Sequence, residues 1–290
     1  MSDSLKINNI PYFPEKWGKP PVNTIDVQKA AVSSTIWQYD EATKKISRIK
    51  TQLLNGKIET NTTLYKSFSA TEELGKGASN LLILKPEGNG KGKEKIAKTA
   101  SLGNGLEDEY KISLKYPYKA TGLMIWPKAL LLAGDIELMI MPKYDGSITG
   151  IVASLKLEEK LNVIYQISCG LDTLHKLGIA HNDLHVDNIL CSKKKNRYDI
   201  SDFEFATIGN SELIKEDTSD LRYFILAILL GKKQIDRETV DVTGLPLCLT
   251  QMGYSTTVAK LVYDAVTNKK YDAGKICQQV KRALEEFKKT

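Results

Sequence analysis

Cysteine is scarce and its spacing is uninformative: Cys169, Cys191, Cys248 and Cys277 stand far apart, with no C-x-x-C pair. That usage argues against a disulfide framework or a zinc site and suits a reducing compartment. The first residues lack the basic-then-apolar pattern of a signal peptide. No apolar run approaches the roughly 18 residues that a membrane-crossing helix needs; the longest is Tyr223–Leu230. Nor is there a shortage of apolar residues or an excess of charge. The 42% hydrophobic and 26% charged content excludes collagen-like, fibrous and wholly disordered chains. A soluble, cytoplasmic protein is expected, and 290 residues suffice for two lobes of one domain or for two modest domains.

The net charge of +6 is unevenly placed: residues 1–70 and 260–290 each carry +4, and the middle carries −2. Basic ends could meet an anionic activator or partner, or simply form a solvated lysine-rich surface.

The first 25 residues hold Pro11, Pro14, Pro20 and Pro21 and read as an extended arm. Asp40 is a candidate cap for a helix over 41–55, with Ile46, Ile49 and Leu53 on one face and Gly56 as its stop. Thr60 to Thr63 reads as a polar break. Residues 1–70 are thus expected to form an N-terminal extension. From Leu74 the texture changes to short apolar runs, Leu81–Leu84, Ile96–Ala97 and Leu138–Met141, which predict an antiparallel sheet, with Gly88–Gly92 as a flexible turn. After Gly150 the period becomes helical. Leu161, Ile164, Ile167, Leu171 and Leu174 line one helix, and others are expected over 218–230, 258–266 and 275–287. The order is β-rich and then α-rich, an α+β arrangement of two unequal lobes.

Three segments carry chemistry. In Glu73-Leu74-Gly75-Lys76-Gly77-Ala78-Ser79-Asn80, two glycines at a strand-to-strand turn let backbone N–H groups approach phosphate oxygens. In Ile96-Ala97-Lys98, a lysine at the end of an apolar strand is placed to grip nucleotide phosphates, with Glu109 as its acidic partner and Glu107 as the alternative. The third is His181-Asn182-Asp183-Leu184-His185-Val186-Asp187-Asn188, followed by Ser201-Asp202-Phe203-Glu204. An aspartate at 183 can orient an acceptor hydroxyl and take its proton. An amide at 188 and a carboxylate at 202 can bind magnesium through oxygen. The lysine-rich turn Lys193–Arg197 joins the two strands that carry them. His181 and His185 read as hydrogen-bonding braces of the loop rather than a metal pair.

Together these segments resemble the protein kinase superfamily over residues 71–235. Tyr165–Ala180 is similar to the long helix before a kinase catalytic loop. Met139-Ile140-Met141-Pro142-Lys143-Tyr144-Asp145-Gly146 resembles the strand and hinge that contact adenine, and Ser219-Asp220-Leu221 resembles the start of the buried helix whose aspartate braces that loop. The resemblance implies a bilobal kinase-like fold over 71–290, with an N-lobe at 71–141, a hinge at 142–146 and a C-lobe at 147–290. It implies ATP and Mg2+ as cofactors and Asp183 as catalytic base. Asn188 and Asp202 become the metal ligands, Lys98 with Glu109 the phosphate clamp, Gly75 and Gly77 the phosphate loop, and Met141, Lys143 and Tyr144 the adenine contacts.

Departures from the pattern are informative. Asn182 stands where regulated kinases carry arginine, Glu204 replaces a glycine, and His185 replaces the lysine usual in Ser/Thr kinases. Asp220 follows Asp202 by only 18 positions, too few for a full activation segment. Such short segments are found in compact kinases secreted by bacterial pathogens, which act in a host cytosol, and in choline- and aminoglycoside-type kinases. The expected activity is phosphoryl transfer to Ser or Thr of a protein substrate, with a small-molecule alcohol as the alternative acceptor. A nucleotide-binding pseudokinase is the non-enzyme reading. Nucleic acid is not an expected partner.

Overall fold

Alternating β-branched and apolar side chains make the first half of the chain a sheet. The computed structural model describes residues 33–40, 42–43, 45–54, 57–69, 80–87, 93–102, 106–115, 124–125, 127–238 and 240–289. The chain divides into two compact units, residues 1–114 with 126–143, and residues 115–125 with 144–290.

In the first unit β1 (Ser33–Asp40), β2 (Lys45–Leu54), β3 (Lys57–Ser69), β4 (Leu81–Pro86), β5 (Lys95–Ser101), β6 (Ala129–Ala133) and β7 (Ile136–Pro142) build one sheet in the order β1-β2-β3-β4-β5-β7-β6. Each neighbouring pair is antiparallel. Trp37, Ile46, Tyr65, Leu84, Ala97, Leu131 and Ile140 pack together as its core, and β1 also approaches β6. Helix α1 (Leu106–Lys115) follows β5.

The expected helix at 41–55 is a strand hairpin instead. The Asp40 carboxylate does accept from a backbone N–H three residues on, that of Thr43 at 2.9 Å, but it closes a turn and starts no helix. Asx-turns and helix N-caps use the same bond, so the cap signal was ambiguous. Ile46 then faces Tyr65, and Ile49 faces Ile36 and Thr62. A spacing of three shares a face only in a helix, so here Ile46 and Ile49 fall on opposite faces of the strand and cross-strand packing overrides the helical pattern. The polar run Thr60–Thr63 lies inside β3, where threonine's branched Cβ suits a strand. Among the described residues the sheet therefore begins at Ser33, inside the expected N-terminal extension. The expected arm over 1–25, the turn at Gly88–Gly92, and Gly75 and Gly77 lie outside the described residues.

The second unit is mainly helical, with α2 (Leu157–Lys176), α3 (Ser211–Leu230), α4 (Leu245–Gln251), α5 (Thr256–Thr267) and α6 (Ala273–Phe287). The stripe on α2 is as expected: Leu161, Ile164, Ile167, Leu171 and Leu174 are fully buried. Helix α3 starts at Ser211, seven residues before the expected position 218, because the Asn210 side chain caps it by accepting from the N–H groups of Glu212 and Leu213. Gly231, at φ 64°, ends it. Short strands β8 (Gly146–Ser147), β9 (Ile179–Ala180), β10 (Ile189–Ser192), β11 (Arg197–Ile200) and β12 (Thr207–Ile208) frame the loops between α2 and α3.

Cysteine usage needs correction. Cys169 on α2 and Cys277 on α6 form a disulfide, 108 residues apart. Packing of α6 on α2 brings them together, and no local spacing announces such a pair. Among the described residues no helix is long and apolar enough to cross a membrane.

Ile167→Ala would empty three carbons' worth of space at a site with no exposure. It is expected to cost about 2–4 kcal/mol, read as a lowered urea midpoint at unchanged slope.

Candidate active site

In the first unit, strand alternation puts Lys98 on the same sheet face as Ile96. Their cross-strand partners Leu81, Ile83, Met139 and Met141 share that face. Ile83 and Ile96 are buried, with Leu81 and Met141 packed against them. Lys98 Nζ donates to Glu109 Oε2 at 2.9 Å, and the two side chains are only 11% and 6% exposed. Two facing charges kept this dry are each held in place by the other. Glu107 turns away to Lys111 at 3.0 Å. Lys143 reaches Glu94 at 2.7 Å.

In the second unit, β9 delivers the chain into His181–Asn188. His181 is fully buried. Its Nε2 lies 3.0 Å from the Ser201 carbonyl and must donate to it, so Nδ1 is left to accept from the Asp183 N–H at 3.3 Å. The ring is thus neutral and in one tautomer, and burial pushes its pKa below the usual 6.5. It also meets Phe203 edge-on. The Asn188 amide donates to the Asp183 carbonyl at 2.9 Å and to its carboxylate at 2.8 Å. His185 Nε2 stands 3.3 Å from that same carboxylate oxygen. Asp183 remains 36% exposed. The hairpin of β10 and β11 turns through Lys193–Lys195, the expected lysine-rich turn, with Asn196 in the left-handed region. Ser201 donates twice to the Asn188 carbonyl, which sets Asp202 beside the loop. Asp202 itself has φ 64°, a strained value for a residue with a Cβ. The Tyr144 hydroxyl donates to buried Asp199.

The residue that braces this loop is Asp217, not Asp220. Its fully buried carboxylate accepts from the backbone N–H of His181 at 2.5 Å and of Asn182 at 2.6 Å, and His175 Nε2 lies at 3.1 Å. Asp220 lies three residues further along α3 and pairs with Arg237. A helix starting at 218 leaves Asp217 just outside it; the Asn210 cap is the sequence signal that brings Asp217 onto α3. A cavity of about 540 Å³ is lined by Asp183, His185, Asp187, Asp220, Tyr223 and Arg237, among others.

A model of the protein kinase domain matches residues 137–289, more than half of the chain. The chain belongs to the protein kinase family. The kinase is 36% identical over 98 residues to a Wee1-like protein kinase of rice, Oryza sativa subsp. japonica, a match covering 34% of this chain and 18% of that protein. It is 24% identical over 279 residues to a "Probable myosin light chain kinase" of Dictyostelium discoideum, covering 88% and 75%. It is 26% identical over 137 residues to the serine/threonine-protein kinase STE20 of Candida glabrata, covering 46% and 15%. The match thus spans less than a fifth of the rice and Candida proteins. The antiparallel sheet and helical C-terminal part are those expected of this family.

Two outcomes test these braces. Asp217→Asn weakens the acceptor for two buried N–H groups and is expected to cost roughly 2–4 kcal/mol in urea, with loss of activity. Because the folded state holds His181 neutral, the unfolded chain binds the extra proton below pH 6.5. Stability from this group is therefore complete above pH 6.5 and declines as pH falls through it. His181→Gln should flatten that part of the stability–pH curve.

Proposed function

We propose that the kinase transfers the γ-phosphoryl group of ATP, with Mg2+, to a hydroxyl, most simply of Ser or Thr in a protein. The observation that carries this reading is the Asp183 carboxylate, oriented by Asn188 and His185 yet left open to an acceptor. The donor set fits magnesium. Asn188 spends its N–H groups on Asp183, which turns its Oδ1 the other way, and Asp202 adds a carboxylate. Among the described residues no three His, Cys, Asp or Glu side chains group so as to hold a metal alone. Magnesium uses one or two protein oxygens and completes its shell with phosphate and water. When bound, Mg-ATP supplies the phosphoryl group and the metal offsets its charge.

The chain's own residues do the rest. Lys98, held extended by Glu109, would meet the α- and β-phosphates. The apolar face carrying Ile96, Leu81 and Met141 would take the adenine, with backbone at Lys143 and Tyr144 in the hinge role, and Gly75 and Gly77 would form the phosphate loop. Asp183 would orient the acceptor hydroxyl and receive its proton at a carboxylate oxygen. Only residues 203–210 separate Asp202 from α3, so no room exists for a long activation segment. That shortness, which leaves little chain to dock a peptide, also favours a second reading, a small alcohol as the acceptor.

Asp183→Ala is expected to lower kcat on the order of 10²–10⁴-fold while leaving ATP affinity nearly unchanged. Mass gain with Mg-ATP, against a peptide pool and against choline and aminoglycosides, would decide the acceptor. ATP binding without transfer to any of them would reject the enzyme reading.

A further inference from the structure

The cavity beside Asp183 already contains a cation, and it belongs to the chain. Arg237 Nη2 lies 2.9 Å from Asp220 Oδ1, and its guanidinium carbon sits 5.0 Å from the centre of the Tyr223 ring. The two sides of this clamp differ in rigidity. Asp220 and Tyr223 are fixed on α3, and the Asp220 side chain is only 17% exposed; Arg237 lies beyond the helix end and is 58% exposed. All three line the same cavity as Asp183 and Asp187.

We propose that Asp220 and the Tyr223 ring form a subsite for an arginine or lysine side chain of the acceptor, and that Arg237 fills it until an acceptor displaces it. The proposal deepens the reading of Asp183 as the phosphoryl-transfer base and rests on it. A carboxylate beside an aromatic face is a chemical match for a guanidinium, which bonds the one and stacks on the other. Burial raises the Asp220 carboxyl's pKa, and the Arg237 charge opposes that rise. A carboxylate this buried calls for a cation as its partner. Exchanging one guanidinium for another leaves this requirement met at little cost. An uncharged side chain could enter only by stranding Asp220. Arg237 thus acts as an internal competitor that screens acceptors by charge.

The test uses the full chain and matched peptides that differ by one arginine-to-glutamine exchange, scanned across positions around the acceptor serine. Binding is measured by calorimetry on versions with alanine at the acceptor, so the readout does not depend on transfer. At one position the wild-type protein should bind the arginine peptide roughly five- to tenfold more tightly, the scale of one part-buried ion pair with a ring face. Arg237→Ala should widen that ratio by removing the competitor. Asp220→Asn should bring it close to one, and Tyr223→Leu should reduce it by a lesser factor if the asparagine variant fails to fold. Equal binding of both peptides at every position, or a ratio unmoved by Arg237→Ala and by both α3 variants, overturns the subsite. Selective binding without any phosphoryl transfer would instead overturn the reading of Asp183 and leave the subsite standing.

Discussion

The buried carboxylate of Asp217 is the constraint on which the rest of the active loop depends. A charge with no solvent exposure persists only if its oxygens are matched by fixed donors, and here two are consecutive backbone N–H groups, of His181 and Asn182. Those bonds pin the loop where Asn182 adopts a positive φ, a conformation asparagine tolerates, and so aim Asp183. From there the order passes through His181, whose ring joins the Asp183 N–H to the Ser201 carbonyl, and on to Asp202. Helix α3 can supply this anchor because Leu221, Phe224, Ile225, Ile228 and Leu229 are buried around it.

The same division of labour recurs among the charges. The carboxylates that hold shape are dry and matched by fixed donors: Asp217 by two backbone N–H groups, and Asp199 by Arg197. The proposed catalytic carboxylate and its histidine neighbour keep exposure, with Asp183 at 36% and His185 at 42%. A group that must bind or release a proton needs access, and a group that must not move needs burial.

The segment after Asp202 is tied down without any added charge. The Asn182 side chain donates to the Phe205 carbonyl and to the Thr207 hydroxyl, while β12 pairs with β9. Where an arginine would create a pocket for a phosphate, this kinase has an amide that makes neutral bonds. The consequence is a short segment whose order is built into the chain.

Much of this was legible from sequence. The order of Lys98, Asp183, Asn188 and Asp202, the strands at 81–84, 96–97 and 138–141, and the stripe on α2 depend on local pattern and period, which a sequence displays. Glu109 rather than Glu107 meets Lys98, since residues two apart on a helix face nearly opposite ways. The remainder depended on distant partners. The hairpin of β1 and β2 reads as a helix because Ile46 and Ile49 share a face at the helical period, and only the facing strands, with Tyr65 and Ile36, impose a register that sets them on opposite faces. Asp217 and Asp220 lie three positions apart on one helix, and only the packing of α3 decides which carboxylate meets the loop and which meets Arg237. Cys169 and Cys277 look unrelated until α2 and α6 dock. The sequence by itself determined the chemical inventory and its order along the chain. The tertiary structure alone decided which charges are buried and paired, because burial and pairing depend on contacts between residues tens of positions apart.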